Sequence, residues 1–277
     1  MPLPDIIVPV FNALENVQAC LESIASTVPS QVRVLLINDA STDPAVQPLL
    51  NTWVADNKAQ RRLLVHEQNR GFVATVNHGM RLTEADVVLL NSDTEVTIGW
   101  LQHLARCLAS DASIATATPW SNNGEIVSIP KFCFANPVPS NRDAIASLVA
   151  TCGTPGYPDM PTAVGFCMAI SRTAINQIGL FDEETFGRGY GEENDFCQRA
   201  EQAGLRNVLC DDAYVVHHGG ASFAPLGIKP NDETMRRLLT RHPDYQQIIT
   251  EFIAADPIAP RRNEILACLE RAGLGIG

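Results

Sequence analysis

Asp5-Ile-Ile-Val-Pro-Val10 is the stretch from which the fold follows. A short apolar run of this length, with its polar residue at the edge, is a strand buried on both faces. Next to it, Leu14, Val17, Leu21, Ile24 and Val28 recur at steps of three and four, the spacing of one helix face, with Asn12 placed as the cap. Residues 32–37 repeat the buried-strand pattern, and Val46, Leu49, Leu50, Trp53 and Val54 mark a second helix. A strand at 63–66, helical spacing at Val73, Val76 and Met80, a strand at 87–90 and a helix around 100–108 continue the rhythm. Alternation of this kind predicts an α/β fold: a parallel sheet with helices on both faces, whose ligands sit at the carboxyl ends of the strands.

Past residues 114–118 the rhythm breaks. Residues 119–163 are rich in Pro, Gly, Asn and Ser, with a short helical stretch near 143–150. Strands are expected at 164–170 and 207–210, and helices at 172–178 and 195–203. From Asn231 the chain looks helical in two pieces, split by Pro257 and Pro260. The expected division is a domain of residues 1–228 and a helical extension of residues 229–277.

Of the 277 residues, 45% are hydrophobic and 18% charged, and the net charge is −11. That sign argues against nucleic acid, which needs a basic face to neutralise phosphates. No apolar run approaches the roughly 18–20 residues of a membrane span, and the first residues lack the pattern of a secretory signal. The eight cysteines lie 13 to 87 residues apart with no CxxC, so reduced, buried thiols are expected rather than disulfides or zinc. A soluble, cytoplasmic protein follows from these features taken together.

Acids gather where the pattern places a site. Asn91-Ser92-Asp93-Thr94 follows the fourth strand, where a carboxylate can hold Mg²⁺ or Mn²⁺. Asp39 and Asp43 follow the second strand, although each is equally well a turn residue. Asp182-Glu-Glu184 reads as solvated surface. Glu192-Glu193-Asn194-Asp195 differs, because Gly187, Gly189 and Gly191 precede it and a helix follows. Capping explains Asp195; two further adjacent glutamates repel each other and raise one pKa toward that of a general base. Of the adjacent His217 and His218, at most one joins a given site, since neighbours in an extended chain point to opposite sides.

The motifs together resemble those of the family-2 inverting glycosyltransferases of GT-A fold, bacterial rhamnosyltransferase-like members included, over roughly residues 3–224. Ile7-Val-Pro-Val-Phe-Asn12 is similar to their first nucleotide-binding strand and Asn38-Asp-Ala-Ser-Thr-Asp43 to their acidic second-strand motif. Asn69-Arg-Gly-Phe72 with Asn77 resembles a segment near the nucleotide. Leu89-Leu-Asn-Ser-Asp-Thr-Glu-Val96 resembles the D-x-D metal motif in its N-x-D variant. Gly165-Phe-Cys-Met168 and Ile178-Gly-Leu-Phe-Asp-Glu183 are similar to the acceptor-side strand and helix end. Glu192-Glu193 stands where the family has its E-D catalytic pair, and His217, ahead of Gly219, Gly220 and Ser222, matches a late metal-binding histidine. Two positions depart from the pattern: Asn91 replaces the first acid of D-x-D, and Glu193 is one methylene longer than the usual aspartate.

The resemblance implies a Rossmann-like α/β/α sandwich and a UDP- or dTDP-sugar donor, held by Pro9, Phe11, Asn12, Asp39, Asn69, Gly71, Asn77, Asn91 and Ser92. It implies a divalent cation on Asp93, His217 and the donor diphosphate, and Glu193 as the base that deprotonates an acceptor hydroxyl. Glu192 and Asp195 would orient sugar or acceptor hydroxyls. The acceptor is a saccharide or lipid-linked saccharide, as in surface polysaccharide synthesis. A nucleotide-sugar-binding module that has lost catalysis is the competing reading, supported by the two departures. A dinucleotide-dependent dehydrogenase is excluded, because Pro9-Val-Phe-Asn12 stands where G-x-G-x-x-G would follow the first strand. A sugar-phosphate nucleotidylyltransferase is excluded by the lack of a glycine- and basic-rich loop there. For the tail, with Leu238, Leu239, Ile248, Ile249, Ile265 and Leu269 among its arginines, packing onto the domain is the simpler reading. Peripheral contact with the inner face of the plasma membrane is the other.

Overall fold

The computed structural model describes residues 1–57, 59–187, 189–219 and 232–275, with only the backbone of Asp232. Gly220 and Ser222 of the late-histidine motif, and the expected 228/229 boundary, lie outside the described residues.

The strands β1 (Asp5–Val10), β2 (Val34–Asn38), β3 (Arg61–Val65) and β4 (Val87–Leu90) alternate with helices α1 (Leu14–Thr27), α2 (Val46–Ala55) and α3 (Phe72–Met80). A two-residue strand β5 (Thr94–Glu95), helix α4 (Trp100–Ser110) and strand β6 (Ile114–Trp120) follow. Beyond a 3-10 turn at Glu125–Val127 come α5 (Arg142–Thr151), β7 (Cys167–Ile170), α6 (Arg172–Ile178), α7 (Glu183–Phe186) and α8 (Glu192–Gln202). The chain then forms β8 (Arg206–Tyr214), β9 (Val216–His217) and the helices α9 (Asp232–Arg241), α10 (Tyr245–Ala255) and α11 (Ala259–Arg271).

Seven strands form one sheet in the order β3-β2-β1-β4-β7-β6-β8. β1 is parallel to β2 and β4, β2 to β3, and β6 to β8; β7 runs antiparallel to both its neighbours. The period of two splits β1 between two cores. Ile6, Val8 and Val10 pack with Val17, Leu21 and Ile24 of α1, while Ile7 packs with Val73, Val76 and Met80 of α3. This two-sided burial is why the run at 5–10 is apolar throughout rather than alternating. At Gly79 of α3 an added Cβ would lie 2.7 Å from Ile7 Cγ2, so the lack of a side chain lets the helix sit close on the strand.

Three of the expected local features differ. Ala13 caps α1 in a left-handed conformation, and Asn12 instead uses its Oδ1 to accept the Thr42 and Asp43 amides across the strand ends. α8 starts at Glu192 rather than Asp195, so both glutamates lie in its first turn. The tail is three helices, not two. The unforeseen break falls at His242-Pro-Asp244, and Pro260 lies in the first turn of α11, where its missing N–H costs nothing.

Cysteine usage is a further correction. Cys152, at the C-terminal end of α5, and Cys268 of α11 form a disulfide across 116 residues, which corrects the all-reduced reading. The other six are free, five of them buried. Leu238 and Tyr245 join the α3 side of the core, and Ile258, Ile265 and Leu269 join the α1 side, which takes these tail residues out of any membrane-facing surface. No helix among the described residues is long and apolar enough to cross a membrane.

A cross-link closing so long a loop constrains the unfolded chain by about 2–4 kcal/mol. Cys268→Ser, or reduction with dithiothreitol, is expected to lower the melting temperature measured by calorimetry. An unchanged melt would mean that the bond contributes nothing to the fold.

Candidate active site

β1, β2 and β4 are adjacent and parallel, so their carboxyl ends open on the same edge. Val10 pairs with Asn38, and Ile7 with Leu89, which brings Phe11, Asp39 and the residues after Leu90 to one end of the sheet. Pro9 and Phe11 are half-buried there. Asp39 is buried and fully engaged. Its Oδ1 takes the Arg70 amide at 2.8 Å and lies 2.7 Å from His66 Nδ1, while Oδ2 takes the Gly71 amide at 2.9 Å. The Asn69 side chain donates to the Asp39 carbonyl, so Asn69, Gly71 and Asp39 form one turn at this edge. His66 in turn stacks on His78 with their nitrogens 3.0 Å apart. Asp43 is a turn residue, its Oδ1 accepting the Ala45 amide.

The second part is built by a pairing far apart in sequence. β5 and β9 pair antiparallel, Thr94 opposite His217, which sets His217 beside Asp93. His217 Nε2 lies 3.5 Å from Asp93 Oδ1. The other ring nitrogen, Nδ1, is 2.6 Å from the Asn123 carbonyl, which only an N–H can satisfy, so in the neutral ring Nε2 carries the lone pair that a metal needs. Phe166 stacks on the imidazole at 5.2 Å, and its carbonyl accepts the Asn91 amide. Burial works to lower the His217 pKa, but the Asp93 carboxylate outweighs it and the net shift is upward. Ser92 is buried and Asn91 half-buried in the same turn. One carboxylate and one such imidazole fit a hard divalent cation that takes its remaining ligands from substrate. Among the described residues no group of three or more His, Cys, Asp or Glu is arranged to hold a metal by itself.

The third part is the first turn of α8. Gly191 caps it at φ 100°, and a Cβ there would lie 3.0 Å from the Phe186 ring. Glu192 is buried and Glu193 half-buried. Each keeps one buried carboxylate oxygen, Oε2, with no hydrogen-bond partner among the described residues. Burial, then repulsion from Glu193, pushes the Glu192 pKa well above the carboxylate range. Burial raises Glu193 too, helped by the charge of Glu125, but a hydrogen bond from Glu192 opposes the rise. Glu192 therefore holds its proton longer and Glu193 ionises first. That is the split of roles expected of paired carboxyls in unequal surroundings. Glu125 reaches both His217 and Glu193 electrostatically, which ties this turn to the second part.

Two expected site residues lie elsewhere in the packing. Asp195 is fully buried, with Arg199 on Oδ2 at 2.8 Å and His242 of the tail on Oδ1 at 2.9 Å, so both carboxylate oxygens are used in docking the tail on α8. Asn77 is also fully buried, clasping the backbone of Phe181 with both ends of its amide. Of the acids at 182–184, Glu184 is exposed as expected, whereas Asp182 caps α7 and pairs with Arg241, and Glu183 lies near Arg70 and Arg81. Asn122, Asn123 and Glu125, and Tyr190, whose pKa is raised by burial and then by the charges of Glu192 and Glu193, were not legible as site residues. They sit in irregular segments, and only Tyr190, between Gly189 and Gly191, stood beside a motif.

A family model, Glycosyl transferase family 2, matches residues 5–179, well over half of the chain. The protein belongs to that family of glycosyltransferases. It is 32% identical over 92 residues to Uncharacterized glycosyltransferase YibD of Escherichia coli K12, a match spanning 33% of this chain and only 26% of that one. Among solved structures it resembles GalNAc-T7 with UDP, GalNAc and Mn²⁺ (TM-score 0.66, 16% identity, 98% of this chain and 55% of that one). It also resembles S. aureus TarS 1-349 with UDP-GlcNAc (TM-score 0.59, 18% identity, 91% of this chain and 72% of that one). At these identities the likeness is one of fold, and the fold is GT-A.

The folded protein keeps protons on Glu192 and Glu193 at pH values where the unfolded chain has released them, so stability falls as pH rises through the raised pKa values. Glu192→Gln removes part of that fall. Its melting temperature relative to the parent is expected to be about 1–4 °C higher near pH 8 than near pH 5, by calorimetry. A difference independent of pH would show that Glu192 ionises without penalty.

Proposed function

We propose that this protein is an inverting, divalent-cation-dependent glycosyltransferase that moves a sugar from a UDP- or dTDP-sugar to an acceptor hydroxyl. The observation that carries the reading is the buried carboxylate oxygen of Glu193, unpartnered at the start of α8. It is linked through Glu125 to the Asp93–His217 pair. The complexes of GalNAc-T7 with UDP and Mn²⁺ and of TarS with UDP-GlcNAc, which share this fold, support the donor class and the cation.

Asp93 and His217 would hold the cation, which when bound stabilises the leaving nucleotide diphosphate as a Lewis acid. On a chain of net charge −11 an anionic diphosphate needs such a partner. Phe11, half-buried at the end of β1, is available to pack on the nucleobase. Asp39 acts by ordering the turn at Asn69–Gly71 around that position. Glu193 takes the proton of an acceptor hydroxyl as that oxygen attacks the anomeric carbon from the face opposite the leaving group, so one displacement inverts the centre. Glu192, protonated, donates a hydrogen bond to Glu193 and so favours the ionised form of Glu193 that can accept the proton. Synthesis of a surface polysaccharide or glycoconjugate, with a saccharide or lipid-linked saccharide as acceptor, is the setting that this chemistry fits.

Purified protein with Mn²⁺ is expected to be thermally stabilised by one nucleotide sugar from a panel of UDP-, dTDP- and GDP-sugars, and to release its nucleotide diphosphate. Glu193→Gln should lower transfer by about 10²–10⁴-fold with the fold retained by circular dichroism. Asp93→Ala should abolish it, and His217→Ala should raise the Mn²⁺ concentration needed. Near-parental activity in the Glu193→Gln protein would remove that residue as the base.

A further inference from the structure

Phe134 is the one exposed Phe, Tyr or Trp ring among the described residues, 52% exposed. Leaving a phenylalanine in water forgoes about 1.5–3 kcal/mol relative to burying it. The loop that carries it, Lys131-Phe-Cys-Phe-Ala-Asn136, is firmly held. Asn136 is buried, its amide donates to the carbonyls of Asn122, Lys131 and Phe134, and its oxygen accepts the Lys131 amide. Asn122 donates in return to the carbonyls of Asn136 and His217, so the loop hangs on the residue that backs the candidate cation site. Cys133 donates its amide to the Glu125 carbonyl, and Glu125 is the residue whose charge reaches Glu193.

The C-terminal helices brace this loop from behind. Phe132 packs on the core, and Arg262 of α11 lies 4.7 Å from its ring centroid while pairing with Asp256. The disulfide to α5 fixes α11 in turn. Beside the exposed ring, the Lys131 ammonium lies 5.2 Å from the Phe134 centroid. A half-exposed ring with an ammonium over one face has the composition of a sugar site, where the C–H face of a pyranose packs on the exposed part of the ring and its hydroxyls accept from the cation.

We propose that Phe134 and Lys131 form the acceptor subsite, stacking a pyranoside on the loop that Asn122 ties to His217. The inference rests on the glycosyltransferase reading above and names the acceptor class for it. A single ring with a neighbouring cation favours a sugar over a protein partner, which would need a wider apolar area.

Saturation-transfer NMR on the full chain with UDP, Mn²⁺ and a panel of methyl pyranosides (glucoside, galactoside, N-acetylglucosaminide, rhamnoside) tests it. At least one pyranoside should receive saturation from the parent protein. Phe134→Ala should weaken its affinity about threefold to tenfold, as the loss of one stacked ring predicts, while Phe134→Trp restores it. As an exposed residue, Phe134 can be truncated without unfolding the chain. Equal binding by the Phe134→Ala protein, or no pyranoside bound by the parent, overturns the proposal. So does a Phe134→Ala protein that loses only its binding to anionic phospholipid vesicles, which would assign the ring to a membrane. UDP signals in the same spectra judge the underlying donor reading separately.

Discussion

Burial of the parallel strands on both faces is the constraint on which the rest depends. With Ile6, Val8 and Val10 against one helix layer and Ile7 against the other, β1 has no face on which a functional group could sit. Polar chemistry is therefore displaced to the strand ends, where the chain turns out of the sheet. The same constraint acts on β2 and β4, and parallel pairing makes all three open on one edge. The edge then needs closing from the other half of the chain. The two-residue pairing of β5 with β9 does this for His217, and the cap at Gly191 does it for Glu192 and Glu193.

What periodicity can express was legible. The strands and helices through β6 and the acids after each strand follow from local apolar spacing, with bounds differing by a few residues. What depends on contacts between distant segments was not. The antiparallel insertion of β7 and the Cys152–Cys268 bond join residues separated by dozens of positions or more, and the position of His217 beside Asp93 was legible only through the family resemblance. Motif matching carried its own error. Asn77 and Asp195 match the family pattern by type and spacing, yet the first clasps a backbone turn and the second anchors the tail. In both, a buried polar side chain serves packing, a role that spacing cannot distinguish from contact with substrate.

For the tail, packing onto the domain was the simpler reading, and α9 docks on α8 through His242 and Asp195, close to the turn that bears the glutamates. α11 lies under the loop bearing Phe134 through Arg262 and Phe132. Part of the acidity also has a place: Asp93 lies beside His217, and Glu125 acts electrostatically on both His217 and Glu193, a repulsion that a cation would relieve.

The central claim is that the Thr94–His217 pairing assembles a cation site from Asp93 and His217. Anomalous diffraction from crystals grown with Mn²⁺ and UDP measures this directly. The account predicts a manganese peak within coordination distance of Asp93 Oδ1 and His217 Nε2, with diphosphate oxygens completing the shell. A peak elsewhere, or an imidazole turned away from a metal held by other residues, would contradict it.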